Sequence, residues 1–241
     1  MFHPRRVSIA FPAACVLAMA RSCATTTETV EGEDGSAFAL AARARIPTGS
    51  EPRADAAGVT TTSELRVELS TASGSDAQDV EAGHQLDFGG LFVAGPARVA
   101  SDFEARELDV VFAPTVAFDA SMSFTPWFGF VLVERDVRLH SGAQTGRDDA
   151  RGYGFDLGLE LEWRASDAPF VAYGAFRAAL LAGDGSGMDR RTIELGVGWW
   201  FDPHVALRAG WRHWSWREDP GAGSELDYTL AGPIVTLDVR L

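Results

Sequence analysis

The stretch Gly152-Tyr153-Gly154-Phe155-Asp156-Leu157-Gly158-Leu159-Glu160-Leu161-Glu162-Trp163 decides the fold. Tyr153, Phe155, Leu157, Leu159, Leu161 and Trp163 fall on one side of a two-residue period. Gly152, Gly154, Asp156, Gly158, Glu160 and Glu162 fall on the other. Successive side chains of a β-strand point to opposite faces, so this period predicts a strand with one bulky apolar face and one small or charged face. The same theme returns on either side. Leu108, Val110, Phe112, Val116, Phe118, Met122 and Phe124 oppose Asp109, Thr115, Asp119, Ser121 and Ser123. Ile193, Leu195, Val197, Trp199 and Phe201 oppose Thr192, Glu194, Gly196, Gly198 and Trp200, and Val235, Leu237, Val239 and Leu241 oppose Thr236, Asp238 and Arg240. Segments 37–46, 64–69, 86–94, 128–139, 170–181 and 205–216 repeat the pattern less strictly. No segment of comparable length carries a helical period, so the chain is expected to be all-β.

The connections alternate in character. Residues 124–127, 165–169 and 201–204 read as tight turns, whereas 141–150, 183–190 and 217–226 read as longer, polar, glycine-rich loops. Short turns alternating with long loops predict an antiparallel up-and-down transmembrane β-barrel of 8–10 strands. Ten segments, or eight without the 37–46 and 86–94 strands, would return both chain ends to the same side.

Alternation also fits a soluble periplasmic ligand-binding barrel, with the apolar face inside. Volume argues for the reverse. The polar faces carry glycines beside charges, the apolar faces carry Phe, Leu, Tyr and Trp, and a barrel of this size has little room inside. The bulky face is expected to meet lipid. Trp127, Trp163, Trp199 and Phe201 lie near the short turns and are expected to form an aromatic girdle at one membrane boundary, with Trp211, Trp214 and Trp216 marking the other. The inner charges then need partners. If the 201–205 turn sets the register, Glu194 lies opposite Arg212 and Gly198 opposite Arg208; Glu134, Arg138, Asp156, Glu160, Glu162 and Arg177 extend this lumen network. The expected reading is a closed salt-bridge plug, with an ion or proton path as the alternative.

Composition excludes a disordered chain and a nucleic-acid binder. Of 241 residues, 46% are hydrophobic, and the formal net charge is −13. An acidic chain lacks the basic face that nucleic acid requires. Residues 1–24 read as a signal peptide: Arg5 and Arg6, an apolar run from Val7 to Ala20, then Ala18-Met19-Ala20 as a cleavage site. Residues 25–35 form a polar linker and 36–241 the barrel domain. Both cysteines, Cys15 and Cys23, lie in the leader, so the mature chain carries no disulfide. Cys23 is a candidate lipidation site. No metal-binding motif appears, and no cofactor is expected.

The end of the chain carries a resemblance. Gly210-Trp211-Arg212, Asp227-Tyr228 and Gly232-Pro233 resemble the closing hairpin of uncharacterised bacterial outer-membrane β-barrel proteins, of the small OmpA/OmpX-like or OmpW-like type. That resemblance implies localisation in the bacterial outer membrane, contact with outer-membrane lipid and lipopolysaccharide, insertion by the barrel assembly machinery, and a monomer. The resemblance is unspecific for function; eight to ten strands are too few for an aqueous channel, so a structural, adhesion or surface-interaction role without a wide pore is expected. A second resemblance is local. His213-Trp214-Ser215 followed by Asp227 is similar to the His-x-Ser motif of outer-membrane lipid A 3-O-deacylases, although Trp216-Arg217 stands where that family has Asn-Ala. It implies an alternative lipid-modifying esterase in which His213 activates Ser215 and Asp227 orients His213. Divalent cations bridging the acidic loops to lipopolysaccharide phosphates are a further expectation.

Overall fold

The computed structural model describes residues 36–241 except 49–52, 55–58, 84, 89–90, 120, 166–167, 184–186 and 220–225. The leader, Cys23 and the 25–35 linker lie outside the described residues. The strands, in chain order, are β1 (Ser36–Pro47), β2 (Arg53–Ala54), β3 (Thr60–Val80), β4 (Gln85–Phe88), β5 (Leu91–Ala94), β6 (Ala97–Ala117), β7 (Met122–Ser141), β8 (Gln144–Arg164), β9 (Phe170–Gly183), β10 (Gly187–Trp200), β11 (Val205–Asp219) and β12 (Leu226–Arg240).

Among the described residues, nine long strands make the main sheet. From β3 to β12, each long strand pairs antiparallel with the next: β3 with β6, then β6 to β12 in order. β1 pairs on one side with β3, antiparallel, and on the other with β12, parallel, in the register Ala39↔Ile234 to Arg45↔Arg240. The two-residue β2 lies against Thr60 and Thr61 of β3, beyond the end of β1. β4 and β5 form a separate hairpin.

This corrects the expected architecture. The sheet does not close as an antiparallel up-and-down barrel. Its seam is the parallel pair β1–β12, and its long strands are odd in number. Strands that alternate direction along a chain leave the first and the ninth running the same way, so a parallel seam follows from the count. Segment 86–94, expected as a further long strand, folds as the β4–β5 hairpin instead. The start of β1 and the end of β12 consequently lie at opposite ends of the sheet, not on one side.

Two turn assignments change as well. Residues 124–127 sit inside β7, and the reversal occurs at 118–121. Asp119 sets it: its Oδ1 accepts hydrogen bonds from the Ser121 hydroxyl (2.7 Å) and from the N–H groups of Ser121 (2.7 Å) and Met122 (2.8 Å). Those donors hold its carboxyl below the usual aspartate range, the Ser121 hydroxyl contributing most. The expected loop at 141–150 is mostly strand; β7 and β8 meet through Gly142 and Ala143 alone, with Gly142 at φ 59°, a left-handed conformation that glycine adopts without a Cβ clash.

The sheet has two unlike ends. The turn end carries 118–121, 165–169, 201–204 and the terminal Leu241. The hairpin end carries β4–β5 and the β7–β8 turn. β3, β6, β7 and β8 run 20 or 21 residues and rise past their neighbours at the hairpin end. Inside, the hairpin-end half is largely apolar: Leu91 and Val93 of the hairpin are buried with Val99, Phe103, Val137, Leu139, Trp214 and Trp216, and the buried Arg135 there pairs with Asp148. The half nearer the turns is charged.

Candidate functional site

Alternation builds the charged half strand by strand. A residue of inward parity on each strand reaches the shared interior, and the polar parity of nearly every strand is Arg, Asp, Glu or Gly. Arg43 and Arg45 come from β1, Arg66 and Glu68 from β3, Glu107 and Asp109 from β6. Asp156 and Glu160 come from β8, Arg177 from β9, Arg190 and Glu194 from β10, Arg208 and Arg212 from β11, and Asp238 from β12. All are buried. Among the described residues this layer holds seven buried arginines and seven buried carboxylates. Balance matters because an ion taken out of water costs several kcal/mol unless a partner offsets it.

The contacts are dense and shared. Glu160 accepts from Arg66 (3.1 Å) and Arg43 (3.3 Å) and lies 3.0 Å from the Arg208 guanidinium. Glu68 accepts from Arg43 Nε (2.8 Å) and Arg212 (3.1 Å) and lies 3.5 Å from Arg177. Asp238 takes both Nε and Nη2 of Arg45. Arg177 donates to Asp109 (2.8 Å), and Arg190 reaches Glu107, Asp109 and Asp156. Arg212 Nε donates to Glu194 (2.7 Å), which also accepts the Tyr173 hydroxyl (2.7 Å). The Arg208 guanidinium lies 3.6 Å from the Tyr173 ring centroid, a stacked cation–π contact. Two half-buried acids, Glu64 and Glu162, border the layer toward the turn end. There a polar cavity of about 490 Å3 opens, with Arg45, Glu64, Thr125, Glu162 and Arg164 in its wall.

Trp127 belongs to this interior and not to the girdle. It is buried on β7; its indole N–H donates to Asp156 (3.2 Å), and the Arg66 and Arg177 guanidinium carbons lie 5.9 and 5.5 Å from its ring centroid. Gly158, its partner on β8, makes the space: a Cβ there would fall into the indole ring and lie 2.6 Å from the Phe176 carbonyl oxygen. Gly158→Ala is therefore expected to push Trp127 off Asp156 and destabilise the fold by about 1–3 kcal/mol. Urea unfolding followed by near-ultraviolet circular dichroism checks both.

The expected site residues separate into groups. Asp156, Glu160, Arg177, Glu194, Arg208 and Arg212 lie buried in the charged layer and Glu162 at its border. Glu194 is paired with Arg212, and Gly198 with Arg208. Glu134 and Arg138 are corrected: both have outward parity and are about half exposed, Glu134 pairing with Arg151 (3.1 Å) and Arg138 with Asp136 (3.0 Å). Trp163, Trp199 and Phe201 are exposed on the outer face near the turns, where Phe170 and Trp199 meet edge to face at 4.2 Å. Trp211 is exposed, but Trp214 and Trp216 are buried in the apolar half instead of marking a second boundary. Arg43, Arg45, Arg66, Glu68, Glu107, Asp109, Arg190 and Asp238 were absent from the expected network. Their signal was present in the sequence as polar positions of alternating strands; what alternation omits is which distant strands share one interior.

His213 and Ser215 share the outer face of β11, opposite Ala231 and Thr229. No hydrogen bond joins them. The side chain of Asp227 lies outside the described residues; its backbone pairs with Arg217, two positions from Ser215.

No family model matches the chain. No curated protein matches it, and no solved structure does. The resemblance to outer-membrane β-barrel proteins thus has no support from a family, and the roles derived from it are corrected with the fold. The structural or adhesion role rested on an all-antiparallel barrel that the parallel seam replaces. The esterase rested on a triad whose His213 and Ser215 are not linked. The soluble barrel needed an apolar interior along its whole length, whereas half of this interior is charged.

Proposed function

We propose that this protein is exported and resides in the lipid of the bacterial outer membrane, with outer-membrane lipid and lipopolysaccharide as the partners of its apolar exterior. One observation carries the reading: polarity is reversed relative to a protein that folds in water. Charges fill half of the interior, while Phe128, Phe130, Leu132, Tyr153, Leu157, Leu161, Leu180, Leu195 and Trp211 are exposed. Such a contiguous apolar surface is far larger than soluble monomers expose. On β7 it runs over 122–132, on β8 over 153–163 and on β9 over 170–180, eleven residues each, a continuous belt and not scattered apolar positions. Beyond it, at the hairpin end, the outer faces of β6–β8 turn charged: Glu104, Arg106, Glu134, Asp136, Arg138, Arg147 and Arg151. The interior charge layer neutralises itself, and the apolar layer with the hairpin fills the other half, so the exterior is the surface that meets a partner.

The test is quenching by lipids with brominated acyl chains. The folded protein in such vesicles is expected to lose the fluorescence of exposed Trp163, Trp199 and Trp211, compared with unbrominated vesicles, and to keep that of buried Trp127, Trp214 and Trp216. Replacing the three exposed tryptophans by Phe should remove the quenching. A chain that stays in the aqueous phase, or leaves the vesicles in a carbonate wash, overturns the proposal.

A further inference from the structure

We infer that the turn-end cavity is a binding site for one sugar acid, a polyhydroxylated molecule of monosaccharide size with a single carboxylate. This goes beyond the lipid reading, because the site lies at the mouth of the interior and not on the apolar exterior. The cavity, of about 490 Å3, has the size of a small-molecule site. Its rim is built at the strand ends. Arg164, Trp200 and Arg240 are the last residues of β8, β10 and β12, and all three have inward parity. Arg164 and Arg240 both line the cavity. Their guanidinium carbons lie 5.8 and 5.0 Å from the centroid of the Trp200 ring, two cation–π contacts that gather two like charges on one indole.

Charge balance gives the ligand its sign. The deeper ions of the wall are already matched. Arg45 holds Asp238 and lies 3.5 Å from both Glu64 and Glu162, and Glu64 holds Arg66. Among the described residues no carboxylate pairs with Arg164 or Arg240. Asp119, the remaining acid of the wall, pairs with no arginine, and its Oδ1 is taken by the donors of its own turn. Two cations against one anion leave the rim short of one negative charge. A monocarboxylate supplies it, with one oxygen for each guanidinium. The other end of the ligand is set by Glu162. Its Oε1 is buried and accepts no hydrogen bond, although Arg45 and Arg208 lie 3.5 and 3.4 Å away. A donor there completes it. An ammonium group would be repelled by Arg45 and Arg208, so a neutral hydroxyl fits better. Thr62 and Ser123 add further hydroxyls to the wall, each able to donate to and accept from a polyol.

The experiment is isothermal titration calorimetry of the full chain in detergent micelles, with glucuronate, glucose, glutamate and acetate titrated separately. One glucuronate per chain is expected, bound about tenfold more tightly than any of the other three. Arg164→Gln or Arg240→Gln should weaken it about threefold, as for an exposed charge contact, and both together about tenfold. Ser123→Phe, which fills the cavity without changing charge, should abolish it. Near-ultraviolet circular dichroism identifies the variants that keep the parent fold. In the unaltered chain, added salt should weaken glucuronate binding and leave any weak glucose binding unchanged. Equal affinity for glucose overturns the carboxylate contact, and equal affinity for acetate overturns the hydroxyl contacts. Preference for glutamate overturns the choice of a sugar acid. No binding of glucuronate, no effect of salt on it, or no loss in the folded double variant overturns the site. All of these are read in micelles, so failure here leaves the proposed function, which is tested in vesicles, standing.

Discussion

Glu160→Ala is expected to lower stability by about 3–5 kcal/mol, the cost of breaking a buried ion pair from one side. Three guanidinium groups, those of Arg43, Arg66 and Arg208, lie within 3.3 Å of its carboxylate, and a fourth, that of Arg45, at 4.0 Å. Without it, Arg43 keeps Glu68, Arg45 keeps Asp238 and Arg66 keeps Glu64. Arg208 keeps the Tyr173 ring and, among carboxylates, the longer contacts to Glu162 (3.4 Å) and Asp238 (3.6 Å). The loss of charge balance, more than the loss of any one hydrogen bond, sets the size. Urea titration of the protein in vesicles measures it, and Glu160→Gln separates charge from volume: it should recover little, because the amide adds a donor among cations. A shift below about 1 kcal/mol in both variants would mean that water reaches this layer.

Leu157→Arg should cost about 2–4 kcal/mol if the outer face is solvated by hydrocarbon, the penalty for Arg near the midplane of a bilayer. Leu157 is 52% exposed and sits at the middle height of the apolar belt, opposite Phe128 and Ala178. In water the same substitution at an exposed site changes stability by about 0.5 kcal/mol or less. Ser73→Arg is the control. Ser73 lies on the outer face of β3, level with Glu104 above the belt, and should shift stability by no more than about 0.5 kcal/mol in either solvent. Equal small effects at both positions would remove the lipid from around this sheet.

The parts of the fold visible in the sequence are those that depend on neighbours within one strand. The alternation over 152–163 placed Tyr153, Leu157 and Trp163 on one face and Asp156 and Glu160 on the other. The turn at 201–204 fixed the β10–β11 register from two adjacent segments. Local signals erred where a turn keeps the period intact. The chain reverses between Ala117 and Met122 without breaking the alternation that runs from Leu108 to Phe124, so the bend is invisible to periodicity, whereas Pro126 draws the expected turn to 124–127. Trp127 erred for a related reason: proximity to a supposed turn suggested a boundary residue, whereas parity on β7 turns it inward onto Asp156.

An all-β chain whose strands each carry one apolar and one polar face is thus legible from residue order, because side-chain direction along a strand follows from backbone geometry alone. Three-dimensional packing alone joins nine strands through a parallel β1–β12 seam, takes segment 86–94 out of the sheet as a hairpin whose Leu91 and Val93 are buried, and gathers Arg43, Glu68, Asp109, Glu160 and Asp238 into one interior. Those facts depend on contacts between residues from 25 to 193 positions apart, and such contacts are set by how many strands close around a common volume and how their charges sum to balance there, which no single strand encodes.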